Sequence, residues 1–305
     1  MPKITIIGAG QVGSTLAMRV VDANIANVAI IDIVKNTLEG KTLDLQDAAS
    51  AAKVNRKIDF SDDFSVAKDS DIIVITAGFP RKPGMTREDL VQKNALIIKE
   101  IAHNIGQLSY QPIIIVVTNP VDIMTTYFFK QTQYPSSKLL GFGISLDAAR
   151  FANLISQELK VSVATVEATV IAAHGKGMLP LPRFSYVDGK PLTELLSEEK
   201  ITDLCAQTVQ RGARIVSCLG SGSAYFAPSA ALFKMVNALL SNDGTIVGAS
   251  VLLNGHYGIT DAFAGVPVKL GKEGIEEVVE LDLNEQEREA LLQTANKLEQ
   301  CTISV

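Results

Sequence analysis

A chain of 305 residues can bury a sizeable core and is expected to divide into two lobes. Its formal net charge of −5 offers no basic field to nucleic acid, and no apolar run is long enough to span a bilayer, so the expected partner is a small molecule. An apolar strand that begins at residue 3 leaves no room for a cleaved export signal, and a cytoplasmic location is expected.

The first predicted strand, 3 to 7, runs directly into Gly8-Ala9-Gly10-Gln11-Val12-Gly13, and 14 to 21 reads as a helix. Strand, glycine turn and helix come in the order a dinucleotide site requires. Gly8 permits a tight turn, Gly10 lets a pyrophosphate approach the backbone, and Gly13 lets helix pack closely on strand. A second strand, 28 to 31, ends in Asp32, about 20 residues after the glycines, where a carboxylate accepts ribose hydroxyls and repels a 2′-phosphate. The plainer role for Asp32 is a strand-end cap. Taken with the glycines, it points to NAD over NADP.

Further strands are predicted at 54 to 60, 72 to 76, 113 to 117 and 138 to 140, with helices between them. This alternation predicts an α/β fold with a doubly wound parallel sheet of the Rossmann type. After the strand at 72 to 76, a Gly/Pro-jointed loop carries Arg81 and Arg87. Two guanidiniums on a loop able to close fit an anionic substrate, because each grips a carboxylate through paired charge-assisted hydrogen bonds. A loop of this kind standing alone is more often a solvated basic turn. The helix 87 to 107 repeats apolar residues at helical spacing (Leu90, Ala95, Ile98, Ile101), and that face is expected to be core.

From about Gly143 the pattern changes to longer helices and β-rich stretches at 161 to 173 and 245 to 270. The expected division is a Rossmann NAD-binding domain over 1–143 and an α+β, substrate-binding catalytic domain over 144–305. A helix opened by Ser145 places Asp147 and Arg150 on one face, a spacing that usually marks an exposed surface pair. His103 lies on the long helix and His256 in a polar turn, and both read as structural. His174 follows the apolar run 163 to 173 and precedes Gly175, as a side chain delivered at the end of a buried strand. A carboxylate that orients it and steadies its imidazolium would make it a general acid/base. Cys205, Cys218 and Cys301 lack metal-ligand spacing and read as packed thiols, the first two about 20 Å apart along one helix. No metal is expected.

These segments resemble the malate and lactate dehydrogenases over essentially the whole chain, and are most similar to malate dehydrogenases built on the lactate dehydrogenase pattern. The matching residues are the Gly8 to Gly13 turn, the Thr76 to Leu90 loop, Val117-Thr118-Asn119-Pro120-Val121-Asp122, Leu146 to Phe151, His174-Gly175, Met178-Leu179-Pro180, Gly222-Ser223-Ala224-Tyr225 and Gly265-Val266-Pro267-Val268. The resemblance implies that His174 donates and accepts the proton with Asp147 orienting it, and that Arg150 clamps the carboxylate on the reacting carbon. It further implies that Arg87 polarises the carbonyl after loop closure and that Asn119 bonds the substrate oxygen. Asn94, Val117 and Thr118 fall at cofactor-lining positions. Arg81 stands where lactate enzymes carry glutamine and malate enzymes arginine, and Ala224 where lactate enzymes usually carry threonine; both favour a dicarboxylate. The implied activity is reversible NAD-dependent oxidation of (S)-malate to oxaloacetate within the tricarboxylic acid cycle, by a homodimer or homotetramer.

Two departures stand out. The family usually reads Gly-Gly-His-Gly-Asp or Gly-Glu-His-Gly-Asp, whereas this chain has Ala172-Ala173-His174-Gly175-Lys176. Lys176 either points to solvent or a subunit contact, or disfavours the imidazolium and lowers the pH optimum; alternation would put it on the same side as His174 only if the strand continued past Gly175, which favours the first. Ala152 replaces a common arginine, which bears on a salt link or interface and not on the chemistry. Three alternatives are weighed against malate: a lactate or other 2-hydroxy acid dehydrogenase, which Arg81 opposes; an NAD-dependent glycosidase, which needs a longer chain and a metal site; and a non-catalytic NAD-binding sensor, opposed by the intact His174, Asp147, Arg87 and Arg150.

Overall fold

Short, mostly apolar runs build the parallel half of the sheet; the inner ones are apolar on both faces because helices cover both, whereas the edge strand carries Asp59 and Ser61. In the computed structural model, which describes residues 1–80, 85–220, 222–300 and 303, these runs are β1 (Lys3–Ile7), β2 (Asn27–Ile31), β3 (Ile58–Ser61), β4 (Ile72–Ile75), β5 (Ile113–Val116) and β6 (Leu139–Gly141). Every residue of β4 and β5 is buried. The helices between them are α1 (Gln11–Asp22), α2 (Lys35–Ala51), α3 (Arg87–Gly106) and α4 (Val121–Thr132). The strand order is β3-β2-β1-β4-β5-β6, all parallel, so the order reverses between β1 and β4. Ligands of such sheets bind outside the carboxyl ends of the strands at that point.

Alternate side chains along each strand point to opposite faces. Ile4, Ile6, Val28, Val74 and Ile115 therefore join Leu16 and Val20 of α1 and Leu38 of α2 in one core cluster. Ile7, Ile73, Ile75, Ile114 and Val116 join Ala95 and Ile98 of α3 and Met124 and Phe128 of α4 in the other.

The remainder opens with α5 (Ile144–Leu159) and continues through β7 (Val166–Glu167), β8 (Val170–Ala172), β9 (Met178–Pro180), β10 (Tyr186–Val187), β11 (Lys190–Pro191) and α6 (Leu192–Leu195). It ends with α7 (Glu198–Leu219), α8 (Phe226–Ser241), β12 (Ile246–Asn254), β13 (Thr260–Gly271), β14 (Gly274–Val278) and α9 (Glu285–Glu299). Here the pairing is antiparallel. The main sheet nevertheless continues across the change, because β12 meets β6 at Ser250↔Gly141. Gly141 has no room for a side chain: a Cβ there would lie 2.6 Å from Thr125 Oγ1 and 2.9 Å from Ser250 Cβ.

Four predicted elements are corrected. The strand predicted at 54 to 60 occupies 58–61; Val54 is bound to Ala49 O, closing α2, and Lys57 N is taken by Asn27 Oδ1. The first helix starts at Gln11, so the glycine turn runs straight into it. Ser145 does not open its helix: Gly143 is the N-cap of α5, and Ser145 Oγ donates to Gly248 O at 2.6 Å. The run 163 to 173 is not one strand. It divides into a 3₁₀ turn, β7 in a separate three-stranded sheet with β10 and β11, and β8 in the main sheet, because Thr169 is diverted to Ser185 Oγ and Phe184 O.

Candidate active site

The glycine turn lies at the reversal point. Gly8 adopts φ +108°, and a Cβ on it would come 2.6 Å from Ala77 N at the end of β4. A Cβ on Gly13 would lie 2.1 Å from Gly8 O, whereas one on Gly10 would meet nothing within 4 Å. Two glycines thus serve packing and the middle one leaves the backbone open. α1 has Gly10 as its N-cap with no side-chain cap, so the amides of its first turn, including Gln11 and Val12, are available to an anion. Thr76 Oγ1 donates to Gly8 O at 2.9 Å and fixes the turn to β4.

Asp32 has the capping role as well as the placement for a ribose. Its Oδ2 accepts Ala9 N at 2.7 Å and its Oδ1 accepts Val34 N at 2.9 Å. Each carboxylate oxygen retains a further lone pair, so these bonds leave acceptor capacity for ribose hydroxyls. Lys41, absent from the sequence expectations, reaches from α2 to donate to Ala9 O at 2.5 Å. The open Gly10, the uncapped helix and the acidic strand end together fit a dinucleotide.

Beyond β5, Val117 is bound through its N–H to Ile75 O, and the buried Thr118 donates Oγ1 to Ala77 O at 2.6 Å. Asn119 is exposed at the sheet's carboxyl edge. Asn94 of α3 is buried, and its amide is engaged by protein: Oδ1 accepts Phe79 N at 2.7 Å and Nδ2 donates to Asn119 O at 2.6 Å. Its visible work is to clamp the loop that follows β4 to Asn119. Arg87 is the first residue of α3, placed there by a capping box in which Thr86 and Asp89 satisfy each other's backbone amides. Arg81 lies outside the described residues, as does the side chain of Arg87.

The second half delivers the ionisable groups. The Asp147–Arg150 pair is not the solvated surface pair its spacing usually means. Asp147 is fully buried in the first turn of α5; Oδ1 accepts Arg150 Nη1 at 3.1 Å and Oδ2 meets His174 Nδ1 at 2.7 Å. A carboxylate at Nδ1 puts the proton on that nitrogen and leaves Nε2 free to exchange one. Arg150 is 11 % exposed, and its Nε is buried without a partner. Gly212 of α7 makes room for it, since a Cβ there would stand 3.2 Å from Nη1.

His174 follows β8 and is gripped on three sides. Asp147 holds the ring, Asp122 Oδ2 accepts its backbone N–H at 3.0 Å, and Gly143 leaves space where a Cβ would come 2.6 Å from His174 Cβ. Ala172, two residues earlier, has φ +80°, an uncommon conformation for a residue with a Cβ. Gly175 at φ +87° then turns the chain, which ends the alternation that would have put Lys176 on the side of His174, and Lys176 is exposed. Burial works to lower the His174 pKa, but the charge and hydrogen bond of Asp147, with Asp122 behind, outweigh both burial and Arg150, leaving it raised above the ordinary imidazole value.

Asp122, Gly143, Gly212 and Lys41 were missed because their partners are distant in sequence; an acid in a first helical turn ordinarily reads as a complement to the helix dipole. Of the cysteines, Cys205 is half-buried and pushed up to about 11 by burial, while Cys218 on the same helix is exposed and not packed. Cys301 lies outside the described residues. Among the described residues no group of three or more His, Cys, Asp or Glu is placed to hold a metal ion, and no helix is long and apolar enough to cross a membrane.

A Rossmann-type half carrying a dinucleotide turn, joined to a half that carries a buried histidine–carboxylate–arginine cluster, defines an NAD-dependent oxidoreductase. Family models for the lactate/malate dehydrogenase NAD binding domain and the lactate/malate dehydrogenase alpha/beta C-terminal domain match residues 2–141 and 144–302. The chain belongs to the lactate/malate dehydrogenase family. It is 44% identical over 298 residues to the malate dehydrogenase of Chlorobium chlorochromatii (strain CaD3), covering 97% of this chain and 96% of that one. The crystal structure of Cryptosporidium parvum malate dehydrogenase matches with a TM-score of 0.94 at 35% identity, over 98% of this chain and 96% of that one. Lactate dehydrogenase from the same organism, complexed with lactic acid and β-nicotinamide adenine dinucleotide, matches with a TM-score of 0.93 at 33% identity, over 98% and 96%.

Proposed function

We propose that this chain is an NAD-dependent malate dehydrogenase that interconverts (S)-malate and oxaloacetate. The observation that carries the proposal is Asp147, buried and bonded at once to His174 and Arg150. One carboxylate thereby orients both the group that moves a proton and the group that grips a carboxylate. The cofactor supplies the hydride chemistry, NAD accepting and NADH donating at the nicotinamide.

The chain's own residues do the rest. Gly8, Ala9, Gly10, Gln11, Val12 and Gly13 receive the pyrophosphate at the start of α1, and Asp32 receives the ribose. Asn94, Val117, Thr118 and Asn119 line the nicotinamide end, Asn94 by holding Asn119 in place. Arg150 pairs with the carboxylate on the reacting carbon, and Asn119 bonds the reacting oxygen. His174 Nε2 takes the hydroxyl proton during malate oxidation and returns it during oxaloacetate reduction, with Arg87 stabilising charge on that oxygen. Arg81 meets the second carboxylate and selects a dicarboxylate over a monocarboxylic 2-hydroxy acid.

The division into 1–143 and 144–305 belongs to the same proposal, supported by the change from parallel to antiparallel pairing at β6 and β12. So do a cytoplasmic location, a place in the tricarboxylic acid cycle and a homodimer or homotetramer. Support for assembly comes from a cavity of about 750 Å³ between α5, α8 and β12, lined by small residues such as Ala148, Ala149, Ala152, Ala230 and Ala231. Ala152, the departure noted in the sequence, opens onto it.

The test is His174→Asn. Turnover should fall by about three orders of magnitude or more while NADH affinity stays within about twofold, because general acid/base help is worth 10²–10⁴-fold and the histidine does not hold the cofactor. Unchanged turnover would place the acid/base elsewhere.

A further inference from the structure

Asp122 is a buried acid that the proton relay does not use, and its surroundings give it a task. It lies in the first turn of α4, only 4% exposed. An anion at that position is ordinarily solvated. Here Oδ2 instead accepts the backbone N–H of His174, 52 residues away in sequence, at 3.0 Å. Oδ1 is buried without a hydrogen bond of full geometry, and so is Oγ of Ser250 on β12, although Ser250 is near enough to act on the Asp122 carboxyl.

Two facts decide how this carboxyl acts. It is buried beside the carboxylate of Asp147; burial pushes its pKa up, and the hydroxyl of Ser250 and the charge and amide of His174 only partly offset that. Its nearest polar neighbours are a hydroxyl and a peptide N–H, each of which a carboxyl oxygen can accept from. The contact also joins two parts of the site: α4 follows directly on Asn119 and Pro120, and His174 is the residue placed to move the proton.

We propose that Asp122 is a positioning residue for His174, setting the imidazole by accepting the His174 backbone amide. This rests on His174 being the acid/base. The ionisable groups acting on the His174 ring are Asp147 and Arg150 from α5 and Asp122 from α4, so loss of the Asp122 charge moves the alkaline limb to lower pH while the turnover below that limb reports the position of the ring.

The experiment compares Asp122→Ala, Asp122→Asn and His174→Asn in the full chain, by oxaloacetate reduction across pH and by NADH fluorescence titration. Displacement of a reacting group by about 1 Å costs on the order of 100-fold, so Asp122→Ala should lose roughly 10- to 100-fold in kcat with NADH affinity retained. Asp122→Asn keeps an acceptor oxygen and should recover turnover to within about fivefold of wild type at a pH where His174 is protonated. An asparagine variant as slow as the alanine variant would show that the hydrogen bond is not what positions the ring and would overturn the proposal. Wild-type turnover in Asp122→Ala would overturn it too. If the alanine variant fails to fold, the turnover of the asparagine variant decides alone. Wild-type turnover in His174→Asn would instead sink the acid/base assignment, a result distinct from any at position 122.

Discussion

Asp147 is bonded to a cation on either side, and that sets the pH at which the site works. Because His174 titrates above its ordinary value, it stays protonated to higher pH, which favours oxaloacetate reduction; malate oxidation, needing the neutral ring, gains as pH rises through that value. In Asp147→Asn the burial remains and its main opponent is gone. The alkaline limb of oxaloacetate reduction should then move to lower pH by about 1 to 3 units, the usual effect of one close opposite charge. A pH–rate profile of this variant checks it, and a limb that stayed in place would remove Asp147 from the proton relay. Linkage has the same sign: a raised folded pKa stabilises the fold below the unfolded value, and that stabilisation is lost as pH rises through the folded one. At this scale the sequence was legible for residues that bear chemistry on their face. Asp147 and Arg150 could be named but not recognised as buried, since a spacing of three describes a helix face and not what covers it. Asp122 and Gly143 could not be given their roles, because each acts on His174 across a fold contact that no local pattern encodes.

Elements place those residues, and the N-terminus of α5 does so most sharply. Gly143 caps the helix without a side chain, and the Cβ of His174 occupies the space a larger residue would fill. In Gly143→Ala the added carbon would meet His174 Cβ at 2.6 Å and Cγ at 2.8 Å, both short of any normal contact, so the ring must move. Loss of kcat by about 10- to 100-fold is expected, as for other displacements of a reacting group by an ångström, with NADH affinity preserved. Steady-state kinetics with cofactor titration measures both, and full turnover in this variant would mean that β8 yields without disturbing the ring. The parallel strands were readable because an apolar run bounded by polar turns has few other uses in a doubly wound sheet. The stretch from 163 to 173 was not. Its apolar content looks continuous, and the break arises only because Thr169 finds partners at Phe184 and Ser185 and sends the chain from one sheet to another.

Across the whole molecule, a parallel NAD-binding half is joined by one continuous sheet to the half that carries the histidine–carboxylate–arginine cluster, and the two meet where Asp122 accepts the His174 backbone amide. The proposed function gives selection of the acid to Arg81 and of the cofactor to Asp32. Closing on pyruvate would bury a guanidinium without its carboxylate, which costs on the order of 2 to 5 kcal/mol. The most direct measurement is kcat/KM for oxaloacetate and for pyruvate with NADH, repeated with NADPH and with Arg81→Gln. The wild-type chain should prefer oxaloacetate by roughly 30- to several-thousand-fold, the equivalent of that energy. NADPH should be markedly poorer than NADH, and Arg81→Gln should remove most of the preference. Comparable turnover of pyruvate and oxaloacetate by the wild type would contradict the account and return the chain to the monocarboxylic 2-hydroxy acid dehydrogenases.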